Sequence, residues 1–140
     1  MFMTIRDLFS AKDDFAPSTI LVVDDEEPIR RMMEKVLGQC KHSILNASSG
    51  AEALAVCEQS AGALQLVVTD VTMPGVNGFD LAERIAERWP GIKILFVSGL
   101  TNDCGTRRRL CGRPLLQKPF THDDLTKKVH ELLSAALSRN

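Results

Sequence analysis

Short runs of consecutive apolar residues alternate along this chain with stretches in which apolar residues recur every three or four positions. Ile20-Leu21-Val22-Val23 and Leu66-Val67-Val68 are the clearest runs. They are rich in β-branched residues and apolar at every position, as strands buried on both faces must be. A weaker run spans His42 to Asn46, a fourth spans Ile92 to Val97, and Pro114 to Gln117 makes a short fifth. Between them the period lengthens. Ile29, Met32, Met33, Val36 and Leu37 line one helical face after Pro28, with Gly38 as a stop. Ser49-Gly50-Ala51-Glu52 has the spacing of a capping box and opens a helix through Ala53, Leu54 and Cys57. Phe79, Leu81, Ala82, Ile85, Ala86 and Trp89 make a third helical stripe, closed by Pro90. Thr101 to Cys111 predicts a poor helix, because Gly105 interrupts it and Arg107-Arg108-Arg109 occupies positions where apolar residues would help. Thr121-His122-Asp123-Asp124 caps a last helix carrying Leu125, Val129, Leu132, Leu133 and Leu137.

Strand and helix thus alternate five times with short links. That pattern predicts an α/β fold of three layers, a five-stranded parallel sheet with helices on both faces and right-handed crossovers. The regular pattern begins at Thr19, so residues 19–140 are expected to form one domain behind an N-terminal extension, residues 1–18, that is frayed or briefly helical. At 140 residues the chain can bury a core without disulfides or a structural metal.

Charge narrows the function classes. Seventeen Lys and Arg against 18 Asp and Glu leave a net charge of −1, which provides no bulk field for a nucleic acid or an anionic membrane. No apolar run approaches the ~18 residues of a membrane span, and no signal-peptide pattern opens the chain. A soluble, cytoplasmic domain is the expectation. Cys40, Cys57, Cys104 and Cys111 lack metal or redox spacing, and His42, His122 and His130 are scattered. All seven read as structural or surface groups.

The polar residues that stand out all follow strands. Asp24 and Asp25 follow the first, Asp70 the third, Ser98 the fourth and Lys118 the fifth. Ligands of open parallel sheets bind beyond the carboxyl ends of the strands, where the strand order reverses. In the order 2-1-3-4-5, one of the common doubly wound arrangements, the first and third strands are neighbours and the three aspartates converge. Three such carboxylates do not all stay ionised without a cation, and a hard divalent ion with oxygen ligands, Mg²⁺, resolves the repulsion. With a lysine and a hydroxyl added, the site suits a phosphoryl group, and one carboxylate can serve as the nucleophile. A single aspartate at a strand end is usually a cap or a solvated turn; five such residues at four strand ends are not.

Four ordered segments carry a family resemblance: Ile20-Leu21-Val22-Val23-Asp24-Asp25-Glu26, Val68-Thr69-Asp70-Val71-Thr72-Met73-Pro74-Gly75 with Gly78, Phe96-Val97-Ser98-Gly99, and Gln117-Lys118-Pro119-Phe120. Together they resemble the receiver domain of two-component response regulators, over about residues 19–137. The resemblance implies a flavodoxin-like fold with sheet order 2-1-3-4-5 and a Mg²⁺-dependent phosphoacceptor rather than an enzyme. Asp70 would accept the phosphoryl group from a phosphohistidine on a sensor histidine kinase or histidine phosphotransfer protein. Asp25, Asp70 and the backbone carbonyl of Thr72 would bind Mg²⁺, with Asp24 supporting. Lys118 would pair with the acyl phosphate, Ser98 would be the switch hydroxyl, and the Lys118-Pro119 bond would be cis.

Two departures bear on output. Receivers commonly carry an aromatic residue three positions before the lysine, where this chain has Leu115, and their fourth helix is less broken than Thr101 to Cys111. Residues 100–113 are therefore expected to be the most irregular part of the domain and to order on phosphorylation. The run Leu115 to Phe120 resembles receivers of hybrid histidine kinases, which suits a phosphorelay role. Only 22 residues follow Lys118, and the last helix consumes them, so output is expected through an unidentified partner protein or a phosphoryl transfer. The three arginines read as a solvated helix face more readily than as a DNA contact. A dehalogenase-type phosphatase needs a second acid two residues after its nucleophile, where Thr72 stands, and a flavin site would be repelled by Asp24-Asp25-Glu26-Glu27. A receiver-like domain that is never phosphorylated is the remaining alternative, and it leaves the five filled chemical positions without a use.

Overall fold

The computed structural model describes residues 18–60, 62–99 and 104–138. The expected N-terminal extension lies almost wholly outside the described residues, as do residues 100–103 at the head of the segment expected to be irregular. Five strands, β1 (Thr19–Val23), β2 (Ser43–Ala47), β3 (Leu64–Asp70), β4 (Lys93–Ser98) and β5 (Leu115–Gln117), alternate with α1 (Glu27–Gly38), α2 (Gly50–Ser60), α3 (Gly78–Arg88), α4 (Cys104–Leu110) and α5 (His122–Ser138). All strand pairs are parallel, and the sheet order is β2-β1-β3-β4-β5.

The continuous apolar runs supply both faces of the sheet. Leu21, Val23, Val67 and Phe96 point to one side and meet Ala53 and Cys57 of α2 and Leu81, Ala82 and Ile85 of α3. Their neighbours Ile20, Val22, Leu66, Val68, Leu95 and Val97 point to the other and meet Met33, Val36 and Leu37 of α1 and Leu125, Val129 and Leu133 of α5. Side-chain alternation along each strand thus divides one apolar run between two cores. Ile20 through Val23 are fully buried, as a central strand requires.

The caps explain where the helices begin. Ser49 Oγ accepts from the N–H of Glu52 at 3.1 Å, as the capping box predicts, but the Glu52 carboxylate reaches the N–H of Ser48, not that of Ser49, at 2.9 Å. Thr121 and Asp124 form the reciprocal version at the start of α5, at 3.0 and 2.9 Å. Hydrogen bonds from Thr121 to the Asp124 carboxylate hold its pKa below the usual range. Asn77 caps α3 through its Oδ1, which accepts from the N–H of Asp80 at 2.9 Å.

The three arginines of α4 are all exposed, as a solvated face predicts. Arg109 also has partners that the basic run did not suggest: its guanidinium lies 2.9 Å from Asp80 and 3.7 Å from Glu83, both on α3, and stacks 5.0 Å from the Phe79 ring. Phe79 in turn meets Phe96 of β4 edge-on at 5.2 Å. With Leu110 and Leu115 packed against the α2–α3 core, α4 is held by an ion pair and a cation–π contact as well as by apolar burial.

Candidate functional site

Each chemical residue reaches the carboxyl edge of the sheet because its strand ends there. Asp24 follows β1, and its N–H donates to the carbonyl of Ala47 on β2 at 3.2 Å, which extends the ladder by one residue. Asp70 is the last residue of β3 and Ser98 the last of β4. Lys118 follows β5, where its N–H donates to the carbonyl of Ser98 at 2.8 Å, and the Lys118-Pro119 bond is cis, as the resemblance implies.

The loop between β3 and α3 is built around two glycines. Gly75 has φ +77°, a left-handed conformation that side chains rarely adopt. Gly78 donates its N–H to the Val71 carbonyl at 2.8 Å. A Cβ there would strike the Asp70 carbonyl and lie 2.9 Å from the Val71 Cα. The missing side chain lets α3 begin directly against the end of β3.

The three aspartates converge as expected. One carboxylate oxygen from each of Asp24, Asp25 and Asp70 lies within 4.8 Å of the others, the single such acidic or metal-ligating group among the described residues. Their surroundings differ. Asp24 is fully buried, its Oδ1 accepting from the N–H of Glu26 at 2.8 Å, while Asp25 is exposed. Asp70 is 6% exposed and accepts from the N–H of Thr72 at 3.4 Å. Lys118 Nζ lies 3.4 Å from Asp24 Oδ2 and 3.6 Å from Asp70 Oδ2.

Burial, and then the nearby Asp24 charge, push the Asp70 pKa up, against the opposing pull of Lys118 and of the Thr72 and Val71 N–H groups. The carboxylate that faces the cavity is therefore kept electrostatically unsatisfied. One ammonium among three acids leaves room for a further cation. The donor set, all oxygen and already crowded with like charge, fits a hard divalent ion and suits a soft metal poorly.

A cavity of about 450 Å³ opens here, lined by Asp25, Glu26, Asp70, Thr72, Ser98, Gly99 and Lys118. Five of the six residues singled out from the sequence line it, and Asp24 sits behind them. Glu26 and Gly99 were not singled out; their adjacency to Asp25 and Ser98 was the available signal. A smaller groove of about 340 Å³, lined by Ile29, Met32, Lys118, Pro119 and Phe120, shares Lys118 with the cavity.

Among known proteins, residues 20–130 match the family described as the response regulator receiver domain. The chain is 34% identical over 125 residues to the sensor kinase CckA of Brucella abortus, a match that covers 88% of this chain and 13% of that protein. It is 30% identical over 122 residues to the response regulator receiver protein CpdR of the same organism, covering 84% of this chain and 98% of CpdR. Among solved structures, the receiver domain of the hybrid histidine kinase CckA aligns with TM-score 0.72 at 29% identity, over 83% of this chain and 99% of that one. The Vibrio cholerae chemotaxis protein CheY4 aligns with TM-score 0.74 at 27% identity, over 83% and 98%.

Proposed function

This chain belongs to the response regulator receiver domain family of two-component signalling, whose general function is to accept a phosphoryl group on an aspartate, and from that premise we propose that Asp70 is the acceptor. One observation carries the assignment: Asp70 ends β3 at the cavity, with the carboxylates of Asp24 and Asp25 within 4.8 Å and Lys118 Nζ at 3.6 Å. Asp24 is sealed behind it and Asp25 stands out in solvent, so Asp70 alone combines access with an enforced position.

In the reaction an Asp70 carboxylate oxygen attacks the phosphorus of a phosphohistidine. The new P–O bond forms as the P–N bond breaks, and the histidine leaves with the bonding electron pair and takes up a proton. Lys118 neutralises charge on the transferred group, and the Ser98 hydroxyl donates to one of its oxygens. Asp25, Asp70 and the Thr72 carbonyl are the residues that would hold Mg²⁺, with Asp24 in support, and the ion would supply the remaining positive charge to the phosphoryl oxygens. The donor is a sensor histidine kinase or a histidine phosphotransfer protein, in keeping with the kinase relatives.

The domain, residues 19–140 behind a short extension, acts as a phosphoacceptor with no catalysis beyond its own phosphorylation and dephosphorylation. A cytoplasmic site of action is part of this reading; among the described residues no helix is long and apolar enough to cross a membrane. Output runs to a partner protein through ordering of residues 100–113, with Arg109 as the existing anchor of α4. Beryllofluoride, which mimics the aspartyl phosphate, should raise amide protection across that segment; protection already equal to that of β3 without it would refute the switch.

The assignment itself is tested with acetyl phosphate and Mg²⁺. Intact-mass analysis should show one added phosphoryl group, removed by hydroxylamine, and fragment analysis should map it to Asp70. Label on another residue would overturn the proposal.

A further inference from the structure

Asp25 is exposed, yet one of its carboxylate oxygens stands within 4.8 Å of those of Asp24 and Asp70. Like charges separate when they are free to, and an exposed carboxylate is free to turn into solvent. An aspartate has few staggered rotamers and a short reach, so the direction of its Cα–Cβ bond decides whether its oxygens can join the cluster. That direction is a property of the backbone.

The backbone here is held at successive points. Asp24 donates its N–H to the Ala47 carbonyl at 3.2 Å, and its Oδ1 accepts from the N–H of Glu26 at 2.8 Å. Its carbonyl oxygen accepts at 2.9 Å from the guanidinium of Arg30, a half-buried residue in the first turn of α1. That oxygen and the Asp25 Cα belong to one planar peptide unit, so holding the first fixes the second. The Arg30 N–H donates to the Glu26 carbonyl at 3.1 Å, which seats the guanidinium on the same turn that carries the acids.

Arg31 supplies the contrast. It bears the same charge one residue on, but its guanidinium turns outward to Glu27 at 3.0 Å, and both side chains are more than half exposed. An ion pair of that kind contributes little. Arg30 follows four consecutive acids, Asp24 to Glu27, and meets a backbone carbonyl.

We infer that Arg30 is a positioning residue for the Mg²⁺ site: it holds the Asp24–Asp25 peptide so that the Asp25 carboxylate is aimed at Asp70. The inference rests on the reading of Asp25 as a ligand. Arg30 does not line the cavity, so it acts only through the acids. Charge and geometry pull in opposite directions here. A cation near a cation site repels the incoming ion, so loss of the charge alone would tighten Mg²⁺ binding. Loss of the hydrogen bond frees the peptide, lets Asp25 turn away from two like charges, and weakens binding. Position outweighs charge, because a half-solvated guanidinium is screened, whereas a carboxylate turned to solvent drops out of the ligand set.

Calorimetric titration of the full chain with Mg²⁺ tests the role. Arg30→Met keeps an apolar stem without donor or charge, and its dissociation constant should rise about fivefold, less than the loss of a ligand would cause. Arg30→Lys keeps one donor of similar reach and should stay within about twofold of wild type. Arg31→Met removes the same charge without touching the carbonyl and should bind at least as tightly as wild type. In Mg²⁺-free buffer the amides of residues 24–27 should exchange faster in Arg30→Met while those of β3 keep their protection. Asp25→Ala separates the inference from the reading beneath it. If Asp25→Ala weakens binding and Arg30→Met leaves it unchanged or tighter, the inference falls and the ligand assignment stands. If Asp25→Ala leaves binding unchanged, the assignment falls and takes the inference with it. Binding by Arg30→Lys or Arg31→Met as weak as that of Arg30→Met would also overturn it.

Discussion

At the carboxyl end of the sheet, Asp24 and Asp70 are buried within reach of each other, and Lys118 offsets only part of their charge; at the amino end, His42 is buried as deeply but has a backbone donor on one nitrogen and the His130 ring on the other. Both ends take titratable groups out of water, which costs free energy wherever it happens. The amino end offsets that cost locally, with the hydrogen bond that the His42 ring accepts. At the carboxyl end like charges remain together beside a cavity of about 450 Å³. Burial alone therefore does not mark a functional group. What marks it is a deficit that the fold leaves for a ligand to fill.

The largest expected effect belongs to the carboxyl end. Asp70→Asn should abolish phosphoryl uptake from acetyl phosphate or a cognate kinase, because an amide is no nucleophile here; labelling at the wild-type rate would end the assignment. Next, Asp25→Ala should weaken Mg²⁺ binding about tenfold or more while the unfolding curve in Mg²⁺-free buffer stays close to wild type, since the side chain is exposed. Unchanged affinity by titration would remove Asp25 from the ligand set.

At the amino end the effects should reverse in kind. His42→Ala leaves the Ser18 N–H without its acceptor and should cost about 1–3 kcal/mol in urea unfolding at pH 7.5, with phosphorylation unchanged. The smallest effect sharpens the contrast most. Because the Asp70 pKa is raised, ionising this group opposes folding, so stability falls as the pH rises from 3.8 through the higher folded value. Asp70→Asn should then raise the thermal midpoint at pH 7 without Mg²⁺, and saturating Mg²⁺ should shrink or reverse the difference. A lowered midpoint in Mg²⁺-free buffer would mean that Asp70 is not a centre of repulsion.

Much of this was legible in the order of residues, for physical reasons that differ by element. β1 and β3 declared themselves because a strand covered on both faces must be apolar at every position. The acid that closes each, Asp24 or Asp70, could then be placed at the sheet's edge without coordinates. Gly75 and Gly78 stood out as members of a family motif, yet the reason for Gly78, a carbonyl of Asp70 where a Cβ would stand, required the packed loop. Arg109 shows the limit more plainly. Its neighbours in sequence made it part of a basic run, whereas Asp80, Glu83 and Phe79, which define its role, come from a different helix.

The sequence by itself determined the alternation of strands and helices, and which acids, hydroxyl and lysine fall at strand ends, because these follow from side-chain period and local chain direction. Tertiary structure decided which side chains share a dielectric environment. Asp24 and Asp25 are adjacent residues, yet one is sealed in the core and the other stands in water. His42 and His130 are 88 positions apart and touch. Burial and through-space charge depend on distances that close only when the sheet and its helices pack, so the acid kept unsatisfied and the histidine supplied with a backbone donor could be told apart only in the folded molecule.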